Sequence, residues 1–257
     1  MQNPLPVRKK LLPILFTTVA AAAALFPTLK AGSKVAEVKN YTVATAPAAP
    51  AALDLKATAA AASTALYDSL HLDQLGLSPE AMQYAYLGFL QLKDKGALRN
   101  EDVLSIVDFS QSSFKKRLYI IDVANFKVLR NTYVAHGKNS GLQYASNFSN
   151  TPESLQSSLG FYVTKGTYFG KHGLSLRLDG KESGINCQAE ARAIVVHGAE
   201  YIGTHRLGAP YMGRSFGCPA VPQAEASEVI NTIKDGTCMF IYHPSKKYLQ
   251  SSKLLNS

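Results

Sequence analysis

Ala193-Ile194-Val195-Val196-His197-Gly198 reads as a short apolar strand ending on an imidazole, because a run of β-branched residues fits a pleated, buried surface. A strand end would hold that ring rigidly at the edge of a sheet. Twenty-one residues later, Cys218 lies within Gly213-Arg214-Ser215-Phe216-Gly217-Cys218-Pro219. A thiol with an ordinary pKa of about 8.5 is only slightly ionised near neutrality, so an imidazole that takes its proton makes it a nucleophile. Gly217 permits a close backbone approach that a side chain would obstruct. Pro219 has no N–H and pushes Cys218 toward extended geometry, so donors to an oxyanion must come from Cys218 and just upstream. His197, Cys218 and this loop compose an acyl-transfer site. On spacing alone, a buried cysteine and a packed histidine account for them equally well.

Outward from that stretch, the texture from about Lys115 is one of short strands. Leu118 to Val123 and Val128 to Ala135 flank a turn at Ala124-Asn125-Phe126, and further β-type runs are Phe161 to Thr164, Leu174 to Leu178 and Thr237 to Tyr242. One helix is inserted before the last of these, with Pro222 at its start, Ala226, Val229, Ile230 and Ile233 on one face, and Gly236 after its end. The expected fold is therefore mainly β with one inserted helix, preceded by a small helical segment. In that segment Ser78 caps, Pro79 takes the first helical position, Met82, Tyr86, Phe89 and Leu90 share a face, and Lys95-Gly96 closes the helix. The expected division is a leader over 1–31, an Ala/Pro/Thr-rich linker over 32–63, a helical segment over 64–113, the catalytic domain over 114–245 and a tail over 246–257. The linker reading rests on stretches such as Ala46-Pro47-Ala48-Ala49-Pro50.

Arg8, Lys9 and Lys10 precede an apolar stretch from Leu11 to Phe26, the pattern of a secretory signal. The run is shorter than the roughly 20 apolar residues of a bilayer span. It is either cleaved or kept as a membrane tether, and in both cases the body works outside the cytoplasm, in the periplasm or cell envelope. The formal charge is +9, and removing Arg8, Lys9, Lys10 and Lys30 with the leader leaves +5. A modest positive excess suits an anionic envelope polymer about as well as it suits no particular partner. No Lys/Arg stripe interleaved with aromatics points to nucleic acid. Neither a phosphate loop nor a nucleotide fingerprint nor a Gly-x-Ser-x-Gly elbow is present, so no cofactor is expected. Cys187 and Cys238 either pair in an oxidising compartment or leave Cys238 as a small buried hydrophobe.

Val196-His197-Gly198, a gap of sixteen residues and then Ser215-Phe216-Gly217-Cys218 resemble the signature of the L,D-transpeptidase (YkuD-type) catalytic domain. The likeness runs from about Phe114 to Pro244. It takes in Phe148-Ser149-Asn150, Ser158-Leu159-Gly160-Phe161-Tyr162 and Lys171-His172-Gly173-Leu174-Ser175, and it is similar to a bacterial branch whose nucleophile loop reads S-x-G-C-P-A. The resemblance implies a cysteine enzyme acting on peptidoglycan stem peptides: a thiol attacks the amide after the third residue of a tetrapeptide, expels the terminal D-alanine and passes the acyl group to an amine. It implies Cys218 as nucleophile, His197 as base and then acid, the Gly198 carbonyl as orienter of the ring, and the N–H groups of Gly217 and Cys218 as oxyanion donors. Ser215 would hold the loop. The chain departs from the family pattern at Ala220, where most members carry Arg, and at Phe216, where many carry His. Arg214, Tyr211 or His205 are candidates to replace those groups at the substrate.

Two other readings of the same residues are a carboxypeptidase, with water in place of the acceptor amine, and a silent homologue that only holds peptidoglycan. A metal site from His197, His205 and Cys218 lacks the close ligand pair that structural zinc favours. The sequence is silent on oligomeric state.

Overall fold

The computed structural model describes residues 55–256, so the leader and most of the linker lie outside the described residues. Two helices open it, α1 (Leu55–Ser69) and α2 (Pro79–Asp94). Ser78 caps α2 as the sequence suggests, its Oγ accepting from the Ala81 N–H at 3.1 Å, and Pro79 sits where its missing N–H costs nothing. α1 begins eight residues before the expected end of the linker, and it buries Ala59, Ser63 and Leu66.

Eight strands follow: β1 (Val103–Asp108), β2 (Leu118–Asp122), β3 (Lys127–Thr132), β4 (Gly160–Gly170), β5 (Gly173–Gly180), β6 (Val195–Ala199), β7 (Ala220–Pro222) and β8 (Cys238–Tyr242). They form one sheet in the order β3-β2-β1-β8-β4-β5-β6-β7. The pairings are antiparallel except for β1 with β8 and β6 with β7. The chain beyond β3 comes round to the far edge: Ala135 N–H donates to the Ala220 carbonyl at 2.8 Å and Lys138 N–H to that of Ser215 at 2.7 Å. The sheet thereby closes almost completely on itself. α3 (Ala226–Ile233), the inserted helix, packs on β5 and β6 with Ala226, Val229, Ile230 and Ile233 buried. The architecture is mainly β with a helical segment before it, as expected.

Several boundaries differ from the sequence reading. Pro222, expected at the start of the inserted helix, instead ends β7, and α3 begins at Ala226. β4 runs on past Thr164 to Gly170. β1 falls inside the segment read as helical, yet it is a central strand between β2 and β8 with all six residues buried. Ser105 and Asp108 interrupt its apolar run and disguise it. The strand carrying His197 starts at Val195, because Ala193 has φ +53 and residues 189–194 are coiled into turns. His197 consequently sits in mid-strand, paired with Ser175 on one side and Ala220 on the other. The expected tail contains α4 (Lys246–Ser251) and α5 (Lys253–Asn256). Buried Glu182 fixes them, accepting from Phe161 N–H at 2.8 Å, the Tyr248 hydroxyl at 3.1 Å and the Ser252 hydroxyl.

The helical segment is seated on the sheet by contact rather than by a linker. Tyr119 Oη donates to the Leu75 carbonyl at 2.9 Å. At Gly88 of α2, a Cβ would lie 2.0 Å from Cζ of Phe161, whose ring stacks on Phe240 at 4.2 Å. Gly88→Ala gains about 1 kcal/mol of helix propensity, but displacing a buried ring typically costs about 1–3 kcal/mol. The expected result is a lower urea midpoint, and an unchanged or higher one would mean that the helix rides loosely on the sheet.

Candidate active site

β6, the loop before β7, the β4–β5 hairpin and the turn before β6 converge on a cavity of about 480 Å³. His197 and Cys218 both line it. The parallel register sets His197 opposite Ala220, so Cys218, two residues earlier, lies level with Val195. Its Sγ accepts from the Val195 N–H at 3.5 Å and approaches the Ala193 carbonyl at 3.7 Å. No hydrogen bond joins it to His197 in this structure.

His197 is nearly fully buried, and its Nδ1 lies 2.8 Å from the Gly198 carbonyl. A carbonyl only accepts, so Nδ1 carries the proton and Nε2 is left as the basic nitrogen. Burial pushes the His197 pKa below the ordinary histidine value, and His172 and Lys171 push the same way, against the Gly198 carbonyl. The His172 ring stacks on His197 with centroids 4.3 Å apart. Burial also pushes the Cys218 thiol up, while the Val195 N–H, Arg192 and Lys171 pull it back. The ground state is therefore a neutral thiol beside a neutral imidazole.

The loop before Cys218 is held from several directions. Ser215 Oγ donates to the Cys218 carbonyl at 2.6 Å and accepts from the Gly217 N–H at 3.0 Å. The Gly217 N–H, read from sequence as an oxyanion donor, is thus already engaged; the Cys218 N–H makes no hydrogen bond among the described residues. Gly217 has φ +126, and a Cβ there would lie 2.8 Å from the Gln156 carbonyl, so only glycine fits. Arg214 lines the cavity, but its guanidinium is spent on the Lys138 and Gly141 carbonyls at 2.8 and 3.0 Å and on Tyr211 Oη at 3.1 Å. Tyr211 and His205 do not line the cavity; His205 Nε2 bonds the Glu200 carbonyl at 2.9 Å. The trio His197, His205 and Cys218 is therefore not gathered, and no group among the described residues could hold a metal ion. Ala220 is wholly buried, packed with Ala135, Ile202 and Met212, so its position has no room for a solvated arginine. Phe216 is 68% exposed at the cavity.

Sequence reasoning missed Arg192. It lines the cavity while bonding the Ser149 carbonyl at 2.7 Å and the Gln156 carbonyl at 2.6 Å. Nothing in its local sequence distinguishes it, since its partners lie some forty residues earlier. Together Lys171, Arg192 and Arg214 make the cavity positive, with no carboxylate among its described lining residues. Such a site suits a substrate bearing a carboxylate. The remaining cysteines are both free: Cys238 is buried in β8, and Cys187 is exposed. Hydrogen bonds from Gly184 N–H and the Asn150 amide, each 3.4 Å, hold the Cys187 pKa below the usual thiol value.

Behind the loop, Ser215 N–H donates to the His136 carbonyl at 3.0 Å. His136 is fully buried; its Nδ1 accepts from Arg117 Nη2 at 2.7 Å and its Nε2 faces the Gly141 carbonyl at 3.3 Å. Burial, reinforced by Arg117, lowers its pKa from 6.5 to about 4.

The sequence profile of the L,D-transpeptidase catalytic domain matches residues 73–242, more than half of the chain. No curated protein matches. Among solved structures, an L,D-transpeptidase from Mycobacterium smegmatis is similar with 13% identity and TM-score 0.34, over 55% of this chain and 59% of its own. L,D-transpeptidase 3 from Mycobacterium tuberculosis is similar with 12% identity and TM-score 0.32, over 55% and 61%. An L,D-transpeptidase from Stackebrandtia nassauensis gives 11% identity and TM-score 0.33, over 75% and 93%. The chain spans less than two thirds of the length of the mycobacterial proteins.

The His136 geometry sets a pH dependence of stability. Above about pH 6.5 the ring is neutral folded and unfolded; as pH falls, the unfolded chain takes up a proton first, and the folded chain resists until about 4. Stability is lost across that window, by roughly 3 kcal/mol at most. His136→Gln keeps an acceptor for Arg117 without the titration, so its unfolding free energy should fall less between pH 7 and 4.5. An equal fall in both proteins would mean that other groups carry the acid sensitivity.

Proposed function

The chain belongs to the L,D-transpeptidase catalytic domain family, and from that premise we propose that it is a murein L,D-transpeptidase-like cysteine acyltransferase with Cys218 as nucleophile and His197 as base. The observation that carries this reading is the shared cavity of Cys218 and His197, with Nδ1 of His197 committed to the Gly198 carbonyl at 2.8 Å. That bond takes the role a carboxylate plays in other triads, fixing the tautomer and leaving Nε2 to accept a proton.

In the proposed sequence, rotation about the Cys218 Cα–Cβ bond releases Sγ from Val195 and Ala193 toward His197. Its proton passes to Nε2 as sulfur bonds to the carbonyl carbon after the third stem residue. The oxyanion is met by the Cys218 N–H, and each well-placed donor contributes roughly 3–4 kcal/mol in such transition states. Collapse breaks the C–N bond, and the proton on Nε2 goes to the departing amine of D-alanine. An acceptor amine then attacks the thioester, gives its proton to Nε2 and restores the thiol. The positive cavity holds a stem carboxylate. Gly217, with Ser215 bonded to it, keeps the loop in shape rather than touching the oxyanion. The work is done in the cell envelope, by a protein that is itself exported.

Incubating full-length protein with tetrapeptide muropeptides should yield a dimer lacking one D-alanine. Cys218→Ala should abolish it, and Cys187→Ala should leave it unchanged. Free tripeptide instead of dimer would make the protein a carboxypeptidase on the same thioester; unchanged muropeptides would make it a binding homologue. Because burial lowers the His197 pKa, the acid limb of kcat/KM should fall below the ordinary histidine value of about 6.5. A limb at or above that value would contradict His197 as a neutral base.

A further inference from the structure

A second cavity, about 500 Å³ in volume, shares no lining residue with the first. It lies between the Ser/Asn-rich stretch 146–156, the turn at 184–185 and the start of α4. The size is that of a small-molecule site, and its chemistry differs sharply from that of the Cys218 cavity. Asn147, Asn150, Thr151, Gln156, Ser245 and Ser251 line it, Asn150 held by Cys187 and the Gln188 N–H, and Lys247 is the one charged residue among its described lining. No carboxylate is present among the described lining residues. The Gln156 and Lys247 side chains make no hydrogen bond or ion pair among the described residues. Apolar surface comes from Phe148, Leu159 and Ile185, and Phe148 is kept rigid by His243 at 5.0 Å and Phe109 at 6.3 Å between centroids.

Uncharged amides and hydroxyls over an apolar floor match a ligand that presents many hydroxyls and amides around a C–H face. A stem peptide with its carboxylates would find one cation here against the three of the first cavity. We propose that this second cavity binds an N-acetylated amino sugar, the glycan part of the polymer whose stem peptide enters the Cys218 cavity. The identity of the ligand rests on the acyltransferase reading; the polar cavity itself does not.

Arg192 joins the two cavities. Its side chain lines the first, and its guanidinium holds the carbonyls of Ser149 and Gln156, both of which line the second. The segment 149–156, a wall of the second cavity, is therefore tied directly to a residue that lines the first. Glycan in one cavity and stem in the other would be bridged by this one side chain, as a linked substrate requires.

Titrating full-length protein with N-acetylglucosamine tetramer, followed by calorimetry or amide NMR, tests the site directly. Binding is expected in the wild type and equally in Cys218→Ala. The exposed pair Asn147→Ala/Thr151→Ala, outside the catalytic machinery, should weaken it at least tenfold. The same pair should raise KM for disaccharide-tetrapeptide several-fold, with kcat and the KM for free tetrapeptide unchanged. No binding by the wild type, or binding unmoved by the paired substitution, would overturn the proposal. Sugar binding without acyl transfer would overturn the catalytic reading and leave this site standing.

Discussion

His197 faces Ala220 across the parallel β6–β7 pair, and everything at the site follows from that register. Cys218, two residues before Ala220, is carried to the level of Val195, where backbone groups hold its sulfur. A one-residue slip would turn alternate side chains to the other face of the sheet and separate thiol from imidazole. The register is secured on both flanks: Ser175 of β5 pairs with His197, and Ala135 bonds Ala220 from the far side. Closure of the sheet is thus also what fixes the site.

Around this register the loop is rigid by local bonding. Ser215 ties the Gly217 N–H to the Cys218 carbonyl, Ser157 Oγ reaches the Gly217 carbonyl at 3.3 Å, and Arg192 straps the neighbouring segment 149–158. Rigid support lets a reactive group be held without induced ordering. The same strap gives the second cavity its wall. The buried Arg117–His136 pair supports the loop from beneath, through the His136 carbonyl that accepts from the Ser215 N–H.

Much of the fold was legible because local rules and tertiary context agreed. β2, β4 and β8 are rich in β-branched and aromatic residues, β5 alternates leucine with polar residues, and α2 announces itself with Ser78-Pro79. His197 and Cys218 stood out because a thiol and an imidazole near glycines are chemically suggestive, and the structure places both in one cavity. β1 was hidden because a central strand is recognised by burial on both faces, which Ser105 and Asp108 mask. Arg192 was hidden because its partners are distant in sequence. Tyr211 and His205 are close in sequence to the loop but lie outside the cavity, Tyr211 bonded to Arg214 and His205 to the Glu200 carbonyl, and the engagement of the Gly217 N–H by Ser215 depends on side-chain geometry that spacing does not report. The departure at Ala220 has a packing explanation: the position is interior.

The central claim is that Cys218 carries the acyl group. The most direct measurement is intact-mass and peptide-mapping spectrometry of the full-length protein quenched in acid during turnover of a tetrapeptide donor. The account predicts an adduct equal in mass to the donor minus D-alanine, acyl-linked to Cys218 and labile to hydroxylamine. The same adduct mapped to Cys187, whose exposed thiol is the more readily ionised, or its undiminished formation in His197→Ala, would contradict it.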